Sequence, residues 1–383
     1  MDHNPRIDLT ERDAWLIALR TPGLGNLRIA RLHEHFGSLH AALDASRGAL
    51  RASGLPDAVC AELARSGRGL IRADLDWLDA APHRHVLTLA DPDYPPLLRR
   101  LEDAPPLLFV EGDLNALWRA QIAMVGSRNA SRSGLGIARD FAKHFARLGI
   151  VVTSGLAEGI DGAAHAACLD AGGATIAVCG TGLDRVYPER HRELARRIVA
   201  QGALVSDFPI GTPPLPEHFP RRNRIIAGLT LGTLVVEASL KSGSLITARL
   251  AAECGRDVFA IPGSIHDPRA RGCHHLIRNG ATLVCEAGEI IEALQPIGHE
   301  LGNALRARLA TQVPPSAAAT IPVAPDAANQ RLLDAIGFAP TDFDSLVTAT
   351  GLTAAAISSM LMSLELDGHV ADLGGGRYQR LAR

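Results

Sequence analysis

The stretch that decides the fold begins with Ile122-Ala123-Met124-Val125-Gly126-Ser127-Arg128, an apolar run that ends in a turn of glycine, hydroxyl and basic residues. The same pattern returns at Ile150-Val151-Val152-Thr153-Ser154-Gly155-Leu156-Ala157-Glu158-Gly159-Ile160-Asp161. Three more turns follow apolar runs, at Gly180-Thr181-Gly182, Lys241-Ser242-Gly243-Ser244 and Pro262-Gly263-Ser264. Helical stretches separate the runs across residues 119–290. Such alternation predicts an α/β fold built on a doubly wound parallel sheet.

The five turns should lie close together, because the carboxyl ends of parallel strands meet at one edge of a sheet and ligands bind there. The turns offer backbone N–H groups, hydroxyls and a few cations, and helices follow several of them. Groups of this kind hold phosphates. The sequence therefore predicts a phosphate-binding edge.

Composition limits the class of protein. The chain has 383 residues, of which 47% are hydrophobic, and this predicts two or three domains with packed cores. No apolar run approaches the roughly 20 residues of a membrane span, and the polar residues 1–5 lack a signal-peptide core, so we expect a cytoplasmic protein without membrane contact.

The six cysteines are scattered, which disfavours a disulfide framework. Because Cys273-His274-His275 has no second ligand cluster, we expect no metal.

Charge is unevenly distributed along the chain, although the net charge is only −2. Residues 119–232 carry 14 Lys and Arg against 9 Asp and Glu, whereas residues 325–383 carry 4 against 7. Lys143 and Lys241 are the only lysines. Lys241 lies in a serine–glycine loop, where a compact ammonium suits a point contact to phosphate.

The sequence divides into four segments. Residues 1–80 form a helical module, in which the turn Thr21-Pro22-Gly23-Leu24-Gly25 belongs either to a helix-hairpin-helix that touches a DNA phosphate or to an ordinary αα-hairpin. Residues 81–295 form the sheet domain, whose proline-rich start packs a short strand against the sheet. Residues 296–328, rich in Ala and Pro, are a linker.

Residues 329–383 resemble a winged helix-turn-helix, with a two-stranded wing after residue 367. The would-be recognition helix, residues 353–366, carries no Lys, Arg, Asn or Gln. Those residues most often read base edges or grip phosphate. We therefore expect this domain to serve protein interaction or packing.

Two nucleotide-binding motifs are absent from the sequence. Gly126, Gly134 and Gly136 do not have the Gly-x-Gly-x-x-Gly spacing, and Thr153-Ser154-Gly155 stands where a ribose-binding acid is expected. No Walker A loop occurs. We expect no NAD and no other cofactor.

Basic and aromatic residues supply the binding candidates. Arg128 can hold a phosphate with two N–H groups or close the sheet edge through a salt bridge. The run Arg221-Arg222-Asn223-Arg224 follows Phe219, whose ring offers a stacking face. This run could track a nucleic-acid backbone or lie at a solvated helix N-terminus, where positive charge is unfavourable.

Acid–base candidates are Glu158, Asp161, His165 and Glu237. Asp161 and His165 have i, i+4 spacing and could exchange protons; alternatively, Asp161 caps a helix and His165 packs under the loops. Glu237 could hold loop amides or an arginine. These residues provide no set of nucleophile, base and orienting group, so we expect no enzymatic activity.

Taken together, these motifs resemble the DNA-processing protein A family (DprA, also called Smf). The motifs that carry the resemblance are Gly126-Ser127-Arg128, the stretch Ser154 to Asp161 with His165, the stretch Phe219 to Leu229, Val236-Glu237-Ala238, Ser242-Gly243-Ser244 with Thr247, and the stretch Gly272 to Ala281. One departure is His274, where the family usually has Asn, and this leaves the contact made by His274 open.

The resemblance implies a Rossmann-like sheet domain with a SAM-like helical module, and a homodimer that binds single-stranded DNA without sequence preference and loads the RecA recombinase in natural transformation. The implied DNA- and phosphate-binding residues are Gly126, Ser127, Arg128, Phe219, Arg221, Asn223, Arg224, Lys241, Ser242, Gly243 and Ser244. The implied loop-supporting residues are Ser154, Gly155, Asp161, His165, Glu237, Thr247 and His274. Because only 4% of residues are aromatic, binding should rely on phosphates and weaken steeply with salt.

Two other classes compete with this interpretation. The same kind of sheet resembles nucleotide phosphoribohydrolases of the lysine-decarboxylase-like type, but Pro262-Gly263-Ser264 lacks the continuation of their Pro-Gly-Gly-x-Gly-Thr loop. A transcriptional regulator that uses the winged helix is disfavoured by the acidic C-terminal segment.

Overall fold

The computed structural model describes residues 9–294, 327–337, 341–353, 357–358, 360–361, 364, 370–372 and 377–380. They fall into two compact units, Met1–Ala310 and Thr311–Arg383. The expected helical module and sheet domain thus belong to one unit. Nearly all of the expected linker, residues 296–328, lies outside the described residues.

The first unit begins with six short helices, as expected for residues 9–80. They are α1 (Glu11–Arg20), α2 (Asn26–Phe36), α3 (Leu39–Asp44), α4 (Arg47–Ala52), α5 (Asp57–Arg65) and α6 (Arg72–Asp79). A hydrophobic cluster continues from these helices into the sheet, where Trp77 packs edge-on against Phe109 with ring centroids 5.9 Å apart. The buried Asp74 also accepts hydrogen bonds from Arg20 (2.7 Å) and from the Ile210 amide (3.0 Å). These contacts explain why module and sheet form one unit.

The sheet has nine strands, β1 (Arg84–Thr88), β2 (Leu107–Gly112), β3 (Gln121–Val125), β4 (Val151–Ser154), β5 (Thr175–Val178), β6 (Ala203–Ser206), β7 (Gly232–Val235), β8 (Asp257–Ala260) and β9 (Thr282–Leu283). Their order is β1-β2-β6-β5-β4-β3-β7-β8-β9. The seven strands from β6 to β9 pair in parallel, whereas β1 and β2 are antiparallel. The proline-rich start of this domain therefore adds two strands rather than one. Helices cover both faces, which suits the central strands β3, β4, β5, β6 and β7, since these are buried along their whole length.

The helices that connect and cover these strands are α7 (Pro96–Arg99), α8 (Arg132–Arg147), α9 (Ile160–Asp170), α10 (Arg192–Gln201), α11 (His218–Leu229), α12 (Ser244–Glu253), α13 (Arg271–Arg278) and α14 (helical residues 287–294). The doubly wound α/β prediction is confirmed.

Strand order reverses at β3, because β4, β5 and β6 extend to one side while β7, β8 and β9 extend to the other. Loops diverge at such a reversal and leave a crevice at the carboxyl ends of the strands.

The second unit contains α15 (Ala327–Ile336), β10 (Thr341–Asp342), α16 (Phe343–Thr350), β11 (Val370–Asp372) and β12 (Arg377–Arg380). β12 pairs antiparallel with both β11 and β10. The expected wing strands are thus present, and β10 adds a third strand. Leu332, Leu346 and Ile357 are buried in its core. The expected recognition helix, residues 353–366, lies partly outside the described residues.

Across the described parts of both units, we find no helix with the length and apolar character needed to cross a membrane.

Candidate nucleic-acid interface

A cleft of about 620 Å³ opens where the strand order reverses. The loop after β3, the loop after β7 and the start of α11 form its walls. Its lining includes the predicted residues Gly126, Ser127, Arg128, Asp161, Phe219, Asn223, Lys241, Ser242, Gly243, Ser244 and Thr247. The structure therefore brings most of the predicted site together, although these residues span more than a hundred positions in sequence.

Phe219 forms an aromatic shelf with Tyr187 at one wall of the cleft. The two ring centroids lie 5.3 Å apart, and the Phe219 ring lies against Gly180, where an added Cβ would come within 3.0 Å of it. The Arg128 guanidinium stands 5.7 Å from the Phe219 centroid, a distance at which cation and ring attract each other. A flat apolar surface with a cation above it suits a nucleobase joined to a phosphate.

Arg222 lies beneath the cleft, where it is only 4% exposed. It donates hydrogen bonds to the carbonyl of Gly155 at 2.7 Å and to the carbonyl of Val178. An added Cβ on Gly155 would lie 2.2 Å from the guanidinium, so the close approach requires glycine. Arg222 thus ties α11 to the ends of β4 and β5.

Asp161 is also buried at the floor of the cleft and accepts hydrogen bonds from the amides of Gly155 (3.1 Å) and Ala157 (3.4 Å). Burial raises the pKa of this carboxyl, while the charge of Arg222 opposes the rise. The N-cap of α9 is Gly159, with φ +78°. Asp161 therefore holds the loop before the helix instead of capping the helix, because its carboxylate reaches back to amides that precede Gly159.

Glu237 fastens the loop after β3. Its carboxylate accepts hydrogen bonds from the Ser131 amide at 2.9 Å and from the Ser131 hydroxyl, and its backbone carbonyl accepts from the Ser127 amide at 2.7 Å. The carboxylate packs against Gly134 in the first turn of α8, so it occupies the positive end of that helix. A bound phosphate must therefore use other groups than the start of α8.

The opposite wall is the loop that leads into α12. Ser242 and Ser244 share a hydroxyl–hydroxyl hydrogen bond of 2.7 Å, and Thr247 is buried one turn further on. The first turn of α12 carries no acidic side chain. Lys241 is exposed at the rim. Neither Lys241 nor Arg128 forms an ion pair within the described part of the chain, so both cations are free to meet an anion.

Arg221 and Arg224 lie outside the cleft, contrary to the grouping expected from the sequence. They point to the other side of α11, where Arg224 binds the buried Asp207 at 2.6 Å and Arg221 approaches it at 3.3 Å. Arg224 is 7% exposed. An arginine that is buried against a carboxylate has no free N–H fork for phosphate, so we assign Arg224 to anchoring α11.

The remaining predicted residues support the loops from below. Ser154 is buried and its hydroxyl donates to the carbonyl of Met124. His165 is buried and hydrogen bonds through Nδ1 to Thr175 Oγ1 at 2.7 Å, while burial lowers its pKa to about 3. No hydrogen bond joins His165 to Asp161 in the described chain, so they do not form an acid–base pair. His274, which replaces the usual Asn, hydrogen bonds through Nε2 to the Gly263 carbonyl at 3.0 Å.

Of the five turns, the third and fifth do not line the cleft. Gly180 supports Phe219 from behind, and Pro262-Gly263-Ser264 follows β8, which lies two strands away from β3. The described residues contain no cluster of three or more His, Cys, Asp or Glu side chains that could hold a metal ion.

The family model of DNA recombination-mediator protein A matches residues 85–295. The chain belongs to this family, known as DprA or Smf. The model of the DprA winged helix domain matches residues 314–376. Protein Smf of Escherichia coli is 44% identical over 317 residues, which is 82% of each chain.

Two solved DprA structures are similar to this chain. The X-ray structure of DprA from Streptococcus pneumoniae has a TM-score of 0.64 and 39% identity, and the match covers 74% of this chain and 98% of that one. DprA from Helicobacter pylori, whose structure describes a single-stranded DNA binding mode, has a TM-score of 0.50 and 27% identity over 55% of this chain and 96% of that one.

In this DprA family member, the sequence-based site omitted Arg222 and Tyr187. The sequence did indicate that Arg222 is buried, because Arg222, Ile225, Ile226 and Leu229 have the i, i+3, i+4, i+7 spacing of one buried helix face. All four are buried. Tyr187 gave no comparable signal, since it reaches the cleft only through the path of the loop after β5.

Proposed function

We propose that this protein binds single-stranded DNA without sequence preference in the cleft at the strand-order reversal, and so protects incoming strands during natural transformation. One observation carries the proposal. Arg128 and Lys241, which form no ion pair with the described residues, line the same cleft as the partly exposed aromatic shelf at the edge of the sheet. Membership of the DprA family and the DNA-binding mode described for the Helicobacter pylori relative support it.

The chemistry of the cleft favours a single strand over a duplex. Phe219 and Tyr187 offer ring surface that only an unstacked base can use, and every base has such a face. Around the rings, the cleft presents cations and serine hydroxyls. Phosphate contacts position a strand without reading its sequence. Binding that combines stacking with phosphate contacts is therefore indifferent to sequence.

We expect Arg128→Ala to weaken binding of single-stranded DNA about tenfold, or about 1.4 kcal/mol, because one charge-assisted phosphate contact is lost. The slope of log K against log salt should fall by about 0.7, the value for one phosphate of a single strand. Fluorescence anisotropy with a labelled oligonucleotide across a salt series measures both quantities. Arg139→Ala is the matched control, since Arg139 is exposed on α8 and does not line this cleft. Equal salt slopes for wild type, Arg128→Ala and Arg139→Ala would contradict a phosphate contact by Arg128.

We expect Phe219→Ala to cost about 1–3 kcal/mol of binding free energy if the ring stacks on a base. Phe219→Trp should retain most of the affinity, because it keeps a flat ring in place. Competition with an abasic phosphodiester chain separates stacking from charge: that chain should bind wild type and Phe219→Ala equally. If the alanine variant lost as much affinity for the abasic chain as for DNA, the ring would be acting on the fold of the cleft.

Two further proposals rest on family membership. We propose that the protein is a homodimer, which sedimentation equilibrium tests, and that it loads RecA in the cytoplasm. The rate of RecA filament formation on protein-coated single strands tests the second proposal.

The acidic winged-helix segment is proposed as a protein contact, and removal of residues 300–383 should then leave DNA affinity unchanged.

A further inference from the structure

A basic stripe runs along the exposed face of α8, the helix that follows the Arg128 turn. Its members have i, i+7, i+11, i+15 spacing, so they share one helix face and span about 22 Å. They are Arg132, Arg139, Lys143 and Arg147. The opposite face of α8 is buried, since Phe141 and Phe145 pack in one hydrophobic cluster with Val152 of the sheet. The basic stripe therefore points away from the sheet.

The charge of the basic stripe is unmatched. Its four cations form no ion pair within the described residues, and Asp140 is the one acidic residue among the sixteen of α8. Helix α10 shows the contrast, since its Arg192 and Arg196 pair with Glu189 at 2.9 Å and with Glu193 at 3.2 Å. A line of positive charge without partners attracts an extended anion.

The stability of α8 does not explain how the basic stripe is built. The helix dipole favours a cation in the last turn, where Arg147 lies, but opposes one in the first turn, where Arg132 lies. Gly136 lies on the same face, although glycine inside a helix costs about 1 kcal/mol relative to alanine. An added Cβ at Gly136 would meet nothing within 4 Å, so packing does not require glycine. The bare position lets a chain pass close to the helix between Arg132 and Arg139.

The basic stripe begins at the mouth of the proposed DNA cleft. Arg128 and Asn129 line the cleft, and α8 starts three residues later at Arg132. Glu237 already occupies the amide end of α8, so the stripe offers side-chain cations along the helix and not the helix end itself. A membrane surface would require an exposed apolar face beside the cations, whereas α8 buries its apolar face. Continuity with the cleft therefore favours a nucleic-acid strand as the occupant.

We propose that the basic stripe of α8 is a second phosphate-binding surface, which holds a single strand that leaves the cleft past Arg128. The proposal rests on the proposed function, because it needs the cleft to hold the same strand. Arg132 contacts the backbone at the mouth of the cleft, and Arg139 and Arg147 contact it farther along. Oligonucleotides confined to the cleft do not reach Arg139. Arg139→Ala is therefore a neutral control for Arg128→Ala when the oligonucleotide is the shortest that binds.

The test is the affinity of the full chain for oligothymidylates of increasing length, measured by anisotropy at several salt concentrations. The variant is Arg139→Ala/Arg147→Ala, at two exposed positions where alanine suits a helix. The control is Arg192→Ala/Arg196→Ala, which removes the same charge from exposed arginines that are already paired. We expect the variant to match wild type on the shortest oligonucleotides. On longer ones it should bind at least tenfold more weakly, with a salt slope lower by about 1.4 for two lost contacts.

Each outcome has one meaning. A variant that equals wild type at every length, or that loses affinity equally at every length, overturns the second surface. An equal loss in the control overturns it too, because net charge alone would then explain the effect. Binding to phosphatidylserine vesicles that the variant loses, with DNA affinity retained, would assign the stripe to a membrane surface instead. Failure of wild type to bind even the shortest oligonucleotides would overturn the proposed function of the cleft, which Arg128→Ala tests separately.

Discussion

Arg222→Met should lower the free energy of unfolding of the first unit by about 3–5 kcal/mol, the usual cost of removing one partner from a buried charged network. The guanidinium of Arg222 satisfies the carbonyls of Gly155 and Val178 and offsets the charge of Asp161. Methionine fills much of the volume but donates no hydrogen bond. It leaves two buried carbonyls without their donor and the buried Asp161 carboxyl without a compensating charge, and both losses are costly.

Urea unfolding followed by tryptophan fluorescence measures this loss selectively, because Trp15, Trp77 and Trp118 all lie in the first unit. The matched control is Arg221→Met, the same exchange at the next position. The Arg221 side chain is 45% exposed, and Asp207 keeps its 2.6 Å bond to Arg224 when Arg221 is lost. We expect the control to cost no more than about 1 kcal/mol. Similar midpoints for the two variants would show that Arg222 does not hold the fold together.

His165 should make the folded protein less stable at acidic pH. Its Nδ1 donates to Thr175 Oγ1, since that hydroxyl itself donates to the Val152 carbonyl. Its Nε2 is buried and has no hydrogen-bond partner in the described chain. A proton on Nε2 would thus be a buried charge with no acceptor, and burial accordingly lowers the pKa of His165 from 6.5 to about 3.

The sign of the pH effect follows from this lowered pKa. Below pH 6.5 the unfolded chain binds a proton at His165 that the folded chain does not bind, so stability falls as the pH drops from 6.5 toward 3. Above pH 6.5 the group has no effect. At pH 5 the loss amounts to about 2 kcal/mol, with a limiting slope of about 1.4 kcal/mol per pH unit.

His165→Asn removes the titrating group while keeping a donor near the position of Nδ1. We expect the stability difference between wild type and this variant to shrink by about 2 kcal/mol between pH 7.5 and pH 5, measured by urea unfolding. His275→Asn, an exposed position on α13, controls for the removal of one imidazole. If wild type and His165→Asn lost stability in parallel, protonation of His165 would not drive the acid sensitivity.

Much of the site was visible in the sequence because its parts are local. The turns after β3 and β7 were predicted from Gly126-Ser127-Arg128 and Lys241-Ser242-Gly243-Ser244, and the structure brings both turns to one cleft. The roles of Arg221, Arg222 and Arg224 could not be predicted from local sequence in the same way. The sequence left open whether this run follows a nucleic-acid backbone or lies at a solvated helix N-terminus, whereas α11 turns Arg224 to Asp207 and Arg222 beneath the sheet edge. That separation depends on which strand lies on each side of the helix.

By itself, the sequence determined the alternation of strands and helices, the turns that end the strands and the family to which the chain belongs. These are read from short-range patterns, since side-chain periodicity and glycine turns act within a few residues. Only the tertiary structure decided that β3 lies beside β7, that Tyr187 joins Phe219, and that Arg128 and Lys241 line one cleft without an ion pair to any described residue. Strand order and burial arise from contacts between distant segments, and no local pattern encodes which carboxylate an arginine will meet.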